Sequence, residues 1–310
     1  MNAVLRKPGL ALAAGLLMPG LGQLYAGELP RGLSFLLGVA LVVPAAVRLA
    51  LLAPEPLLCV IVCAGVLTAL SLYVWSVWDA VRLTRRVLRK TPHSWQRPSV
   101  YALYVVASYV FVLAPSTATV RRDFLEAFVV PTASMSPGIL PGDRIFADKT
   151  IGQPGGAKLW RGALVVFIYP NDRTSTFIKR VVGLPGDRVE IEGTELRVNG
   201  HRVSRGPSEE PVPEALAGLR AFRERGERGE YTVLWPEQAR AAEDAAPSLQ
   251  SFVIPAGQLL VLGDNRASSV DSRRFGTVPV ADVKAVARQI WFSVSPRDGV
   301  RWRRLGKVLG

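Results

Sequence analysis

Four stretches in the first third of the chain carry almost no charge: Leu10 to Leu17, Leu33 to Val47, Leu57 to Val77 and Val100 to Ala114. Crossing a bilayer takes about 20 predominantly apolar residues in one helix, and several of these runs approach that length. From about residue 121 onward the sequence reads instead as a water-soluble domain. The overall hydrophobic content of 49% is unexceptional, so the inference rests on where the apolar residues sit. The expected organisation is a multi-span α-helical membrane region over 1–120, then an extramembrane domain over 121–310.

Within the first region, Pro19-Gly20 and Gly22 interrupt Gly9 to Tyr25, which reads as a short kinked helix or a re-entrant pair. Arg6 and Lys7 ahead of an apolar run fit the opening of a secretory signal peptide, but the later spans favour a retained anchor. Spans of roughly Leu33 to Arg48 and Pro56 to Trp78 meet at Pro54-Glu55-Pro56. Tyr73, Trp75 and Trp78 close the second of them, where an interfacial aromatic belt is expected. A last span runs from about Ser99 to Thr119. Cys59 and Cys63 lie one helical turn apart in an apolar span and read as small hydrophobes, not as a disulfide.

The formal charge of +13 and pI near 10.3 raise the possibility of nucleic acid as a partner. The distribution of the charge argues against it. Arg82, Arg85, Arg86, Arg89, Lys90 and Arg97 fall in one loop, at about 80–98, between apolar spans. Such enrichment marks the cytoplasmic side of a membrane protein. The last span then delivers Arg121 and everything after it to the outer face of the cell membrane; the side of residue 1 stays open. Arg297, Arg301, Arg303, Arg304 and Lys307 surround Trp302, either as a solvated tail or as a contact for anionic membrane lipid.

The outer domain reads as mostly strand. Candidate strands are Arg144 to Ala147, Leu164 to Tyr169, Thr176 to Val182, Arg188 to Ile191, Leu196 to Val203, Tyr231 to Trp235, Phe252 to Ile254, Leu259 to Leu262 and Val286 to Val294. Pro-Gly and Gly-Asp turns bound several of them. No strand–helix alternation marks a doubly wound parallel sheet. Residues 205–248, rich in Pro, Glu, Arg and Ala, read as an inserted lobe or long excursion, with a short helix near Glu237 to Glu243.

Chemistry points to Ser134, in Pro131-Thr132-Ala133-Ser134-Met135-Ser136-Pro137-Gly138, and to Lys179, in Phe177-Ile178-Lys179-Arg180. The flanking prolines restrict the backbone, which helps to aim a hydroxyl and to offer N–H groups to an oxyanion. Thr132 can donate its hydroxyl to the same oxyanion. The plainer readings are a turn serine, a capping threonine and a solvated strand lysine. Histidine, the usual base for a serine, is scarce. His93 falls in the basic loop, and a Ser-His-Asp arrangement would need His201, which sits in a turn-and-strand pattern. Lysine in water has a pKa near 10.4, which burial among apolar groups lowers by several units. Strand alternation puts Lys179 on one face with Phe177 and Val181. Arg180 is no candidate, because guanidinium does not deprotonate in proteins. The sequence carries no His/Cys cluster with metal spacing and no Gly-rich phosphate loop, so no metal or cofactor is expected.

Four ordered blocks resemble type I signal peptidases, the membrane-bound Ser/Lys endopeptidases that remove signal peptides from exported proteins. They are Phe128 to Met135, Gly142-Asp143-Arg144-Ile145, Lys179 to Asp187, and Gly263-Asp264-Asn265-Arg266 through Ser269, Asp271, Ser272, Arg273, Gly276, Val278 and Pro279. The resemblance implies a mostly antiparallel β catalytic domain with a smaller inserted lobe, no cofactor, and signal peptides of secreted preproteins as partners; no obligate protein partner is evident. It implies Ser134 as nucleophile, Lys179 as base, and Thr132 with the Ser134 N–H as the oxyanion site. Ser269 would hydrogen-bond Lys179, and Asp271 with Arg273 would form a supporting ion pair. Phe128, Val130, Met135 and Ile178 would line pockets for small residues at −1 and −3, with Val130 and Pro131 beside the bound strand. Ala267-Ser268 and Phe275 depart from the family pattern. Pro19 to Gly27, with Arg31-Gly32, is similar to a small membrane module found in other proteins. The alternatives are a Ser/Lys protease with one dedicated substrate and an inactive membrane-anchored scaffold.

Overall fold

Proline and glycine punctuate the helices of the N-terminal part. A computed structural model describes residues 4–86, 89–90, 93, 96–151, 158–192, 195–209, 212, 216–236, 249–297 and 299–309. Contacts divide the chain into two units, Met1–Phe124 and Leu125–Gly310. The first contains α1 (Pro8–Leu17), α2 (Leu21–Ala26), α3 (Leu29–Leu52), α4 (Leu58–Arg86) and α5 (Pro98–Phe124). The break between α1 and α2 has a steric cause. Gly20 sits at φ 84, and a Cβ there would meet the Gly32 carbonyl oxygen at 2.1 Å. Tyr104 donates its hydroxyl to the Pro19 carbonyl at 3.0 Å, and Gln23 is fully buried against Ser76 and Asp79. Arg31 grips Asp79 with two nitrogens, at 2.9 and 2.5 Å. The segments Leu29–Leu52, Glu55–Arg86 and Pro98–Phe124 are long and apolar enough to cross a membrane.

One expectation is corrected here. Arg82, Arg85 and Arg86 are not loop residues but occupy the last turns of α4. Cations are favoured at that end of a helix, where unpaired carbonyls carry partial negative charge.

The second unit is built from strands. In chain order they are β1 (Leu125–Val129), β2 (Asp143–Asp148), β3 (Leu164–Ile168), β4 (Thr176–Gly183), β5 (Arg188–Glu192), β6 (Glu195–Val198), β7 (His201–Arg202) and β8 (Ser204–Pro207). After these come β9 (Leu219–Arg225), β10 (Glu230–Pro236), β11 (Leu249–Val253), β12 (Gln258–Leu262), β13 (Val278–Pro279), β14 (Val283–Ser295) and β15 (Gly299–Val300). The main sheet has the order β13-β12-β4-β3-β14-β2-β1, with β15 on β14. A second sheet has the order β11-β5-β6-β7, and a third β8-β9-β10. All these strand pairs are antiparallel.

Alternation along β3 and β4 sorts side chains into separate cores. Leu164, Val166 and Ile178 pack with Met135, Ile139 and Ile145, while Val165, Phe167 and Val181 pack with Leu259, Val261 and Val286. The single run expected over Leu196 to Val203 is split, because Asn199 (φ 54) and Gly200 (φ 77) form a two-residue hairpin turn. Within 205–248 the structure forms the β9–β10 hairpin, whose first strand was not expected. The short helix expected near Glu237 to Glu243 lies outside the described residues.

The C-terminal segment also differs from a solvated tail. Arg304 donates to the buried Asp143 at 2.6 Å, Arg301 donates to Ser293 at 2.8 Å, and Leu309 joins a core. Arg297, Trp302 and Arg303 are exposed.

The β9–β10 hairpin is tied to the segment after β12 by a fully buried ion pair. Arg266 donates to both oxygens of Glu224, at 2.7 and 2.6 Å, and neither side chain has any exposure. Removing one partner leaves an uncompensated buried charge, worth about 3–5 kcal/mol. Glu224→Gln should therefore lower the thermal midpoint of the detergent-purified chain sharply. Adding Arg266→Met should recover much of the loss.

Candidate active site

Ser134 is carried by a tight turn between β1 and β2. Ser136 N–H donates to the Ala133 carbonyl and Ile139 N–H to the Met135 carbonyl, at 3.0 and 2.9 Å. Met135 and Ile139, both fully buried, anchor that turn from below. Met135 therefore belongs to the core and does not line the cleft, unlike the wall position expected for it. Its side chain points down from the turn that lifts Ser134 into the open.

Lys179, on β4, is only 4% exposed. Its Nζ lies 2.9 Å from Ser134 Oγ and donates to the Ile178 carbonyl at 3.0 Å. Thr132 Oγ1 is 3.2 Å from the same Oγ. Burial lowers the Lys179 pKa to about 8, against the opposing pull of Asp271 and Asp264. That balance depends on how the two carboxylates are themselves neutralised. Asp271 receives Arg273 Nε and Nη2, both at 2.8 Å, and the Gly263 N–H at 2.9 Å. Burial pushes its carboxyl up, but these bonds and the Arg273 charge hold it below the usual range. Asp264 receives Arg180 Nε and Nη2, both at 2.7 Å, in a pair with almost no exposure. Each carboxylate near Lys179 thus carries its own guanidinium, and desolvation of the amine prevails.

Ser269 behaves differently from the expectation. Its Oγ is buried and does not bond Lys179; it acts instead on Asp271, whose carboxyl it helps to hold below the usual range. It lies against Gly263, where a Cβ would come within 2.1 Å of it and 2.7 Å of the Ser134 carbonyl oxygen. Two residues of the Gly263-Asp264-Asn265-Arg266 block contribute to the site. Asn265 donates its N–H to the Ser134 carbonyl at 3.1 Å and its Nδ2 to the Ala133 carbonyl at 3.3 Å, clasping the turn from behind. Asp264 is the buried partner of Arg180. Glu224 was missed altogether, since nothing in its local pattern marks it as buried.

Beside the Ser134–Lys179 pair lies a cleft of about 500 Å³. Phe128, Val129, Val130, Pro131, Thr176, Ile178, Ser268 and Val270 are among the residues that line it. Among the described residues there is no cluster of three His, Cys, Asp or Glu side chains able to hold a metal. A hydroxyl and a desolvated amine in contact, at the wall of a mostly apolar cleft, are equipped for acyl transfer.

A family model described as signal peptidase, peptidase S26, matches residues 102–292. The chain belongs to this family. Signal peptidase I of Rickettsia bellii (strain OSU 85-389) is 32% identical over 196 residues, which cover 56% of this chain and 68% of that protein. Signal peptidase I of Rickettsia typhi (strain ATCC VR-144 / Wilmington) is 31% identical over 209 residues, 60% of this chain and 79% of that protein. A crystal structure of a signal peptidase I from Enterococcus faecalis V583 is 29% identical, covers 42% of this chain and 96% of that chain, and has a TM-score of 0.27. Membership makes this S26 peptidase a peptide-bond hydrolase of the signal peptidase I class. The family match begins inside α5, so α1 to α4 lie outside it.

Two outcomes follow for this S26 peptidase. Gly263→Ala forces Ser269 and the Ser134 carbonyl apart and should reduce both stability and turnover, read by thermal unfolding and a peptide assay. Lys179→Met should instead stabilise the fold. The folded amine titrates near 8 and the unfolded one near 10.5, so the fold is penalised below about pH 8 and the penalty fades as pH rises to the unfolded value. A shift of that size corresponds to up to about 3 kcal/mol at neutral pH, measurable by denaturation of wild type and variant at pH 7.

Proposed function

We propose that this chain is a membrane-anchored serine endopeptidase that removes N-terminal signal peptides from exported preproteins, cutting after small residues at −3 and −1. The observation that carries the reading is the 2.9 Å approach of Lys179 Nζ to Ser134 Oγ, at a lysine 4% exposed with a pKa lowered to about 8. Family membership supports it, and the names of the relatives supply the substrate class.

In the proposed reaction neutral Lys179 takes the proton from Ser134 as Oγ attacks the scissile carbonyl. Thr132 Oγ1 and the Ser134 N–H stabilise the oxyanion. The tetrahedral adduct collapses, the Lys179 ammonium protonates the leaving amine, and an acyl-serine remains. Lys179, neutral again, takes a proton from water as that water attacks the ester; the acyl C–Oγ bond then breaks, and the ammonium returns the proton to Oγ, which restores the Ser134 hydroxyl and releases the acid. Asp271 and Arg273 hold one another in place, so that neither a bare carboxylate raises the base nor a bare guanidinium lies beside it. The substrate lies extended along Val130 and Pro131, pairing as an added strand. Phe128 and Ile178 narrow the cleft, which favours small side chains next to the cut.

Three long apolar helices and the arginines around 82–97 support a multi-pass anchor in the cell membrane, with those arginines cytoplasmic and the catalytic unit on the outer face. On this reading residues 1–120 form the membrane region, 121–310 the peptidase domain, and 205–248 its inserted lobe.

Ser134→Ala, Lys179→Met and Lys179→Arg should each abolish cleavage of an Ala-X-Ala preprotein in detergent. Near-normal turnover by Lys179→Arg would refute the base role, since arginine keeps the charge but not the basicity. The uncharged amine is the active form, so kcat/KM should climb with pH through about 8 and then level off. Arg273→Met leaves Asp271 uncompensated, which favours the ammonium and should move the rise to higher pH. An unshifted profile in that variant speaks against the electrostatic account.

A further inference from the structure

A stripe along one side of α4 changes character over its length. Val74, Val77, Trp78 and Val81 are succeeded by Arg82, Arg85 and Arg86, at spacings of three and four that keep them together on a helix surface. Leu12 and Leu16 of α1 form the opposite wall, and the two helices enclose a groove of about 840 Å³. Gly15 of α1 packs against Val77, where an added Cβ would be in van der Waals contact with its backbone at 3.4 Å. Tyr73 closes one end by donating its hydroxyl to the Leu16 carbonyl at 2.6 Å. The groove is apolar at that end and basic at the other.

The charges at the basic end have no counterion within the described residues. None of the three arginines forms a salt bridge there, and the carboxylate of Asp79 is buried and occupied by Arg31 and Gln23. Arg82 instead lies over the Trp78 ring, 5.0 Å from its centroid. At about 1.5 Å per residue, the 29 residues of α4 exceed the roughly 30 Å hydrocarbon core, so its last turns reach the head-group layer. Three unneutralised guanidiniums at that depth, continuous with an apolar slot, match a ligand with an acyl chain and an anionic head. A signal peptide does not fit, because its basic leading segment would meet arginines.

We infer that the α1–α4 groove is a binding site for an anionic glycerophospholipid, its chain along Leu16, Val74 and Trp78 and its phosphate among Arg82, Arg85 and Arg86. This goes beyond the peptidase reaction and rests only on the proposal that α4 spans a membrane. Basic residues at a membrane surface each add measurably to the attraction of anionic lipid, so three together support a preference of about tenfold or more.

The test uses the full chain, delipidated in detergent and titrated with phosphatidylglycerol or phosphatidylcholine, with retained lipid measured by native mass spectrometry. Wild type should retain phosphatidylglycerol about tenfold more tightly. Arg82→Gln/Arg85→Gln/Arg86→Gln should erase that preference, and Leu16→Trp, which fills the slot without changing charge, should weaken retention. Arg220→Gln/Arg225→Gln, at exposed arginines of β9, should leave it intact. Equal retention of both lipids by wild type, an undiminished preference in the triple variant, or displacement of phosphatidylglycerol by inorganic phosphate alone would overturn the site. Alkaline carbonate extraction separates the two failures. Release of the chain from membranes defeats the membrane reading itself, whereas a retained chain without lipid preference defeats only this groove.

Discussion

An amine withdrawn from water beside a hydroxyl is unstable unless the surroundings prevent it from recovering a proton, and the arrangement around Lys179 and Ser134 is organised around that constraint. Two carboxylates, Asp264 and Asp271, stand close enough to favour the ammonium, and each is matched by a guanidinium of its own. Desolvation is left as the dominant influence, and the pKa falls to about 8. Without that pairing, the two acids would make Lys179 an ordinary structural ion-pair partner and remove the base from the proposed reaction.

The same pairing holds the site together mechanically. Arg180, next to Lys179 on β4, points to the opposite face and fastens Asp264, while the next residue, Asn265, clasps the carbonyls of Ala133 and Ser134. Arg266 then reaches Glu224 on the β9–β10 hairpin. Three consecutive residues after β12 therefore connect the strand that carries the lysine, the turn that carries the serine, and a hairpin remote from both in sequence. Buried ion pairs of this kind contribute little net stability compared with apolar packing, but breaking one is costly. Their value here lies in allowing one arrangement of the loops and penalising others.

The N-terminal unit applies a related rule in an apolar setting. The interruption between its first two helices, Pro19 to Gly27 with Arg31, is absorbed into helix packing, where Gln23, Arg31, Ser76 and Asp79 satisfy one another. Polar groups in such surroundings cost several kcal/mol when unpaired, so a closed network is what lets the chain turn sharply between α1 and α2. The arginines at the end of α4 stand outside that network.

Local pattern was enough to read the apolar helices, most strands of the second unit, and the candidacy of Ser134 and Lys179, because periodicity, turn residues and the scarcity of histidine are written along the chain. It also showed that Lys179 and Arg180 must face opposite sides of a strand. It did not show that Met135 turns into the core, that Ser269 Oγ does not bond Lys179, that Arg301 and Arg304 fold back toward Asp143, or that Glu224 is buried. Those outcomes depend on which segments meet after the sheet has closed. A charged residue reads the same in sequence whether it ends in solvent or against a counterion, and only the tertiary structure decides how much water each keeps.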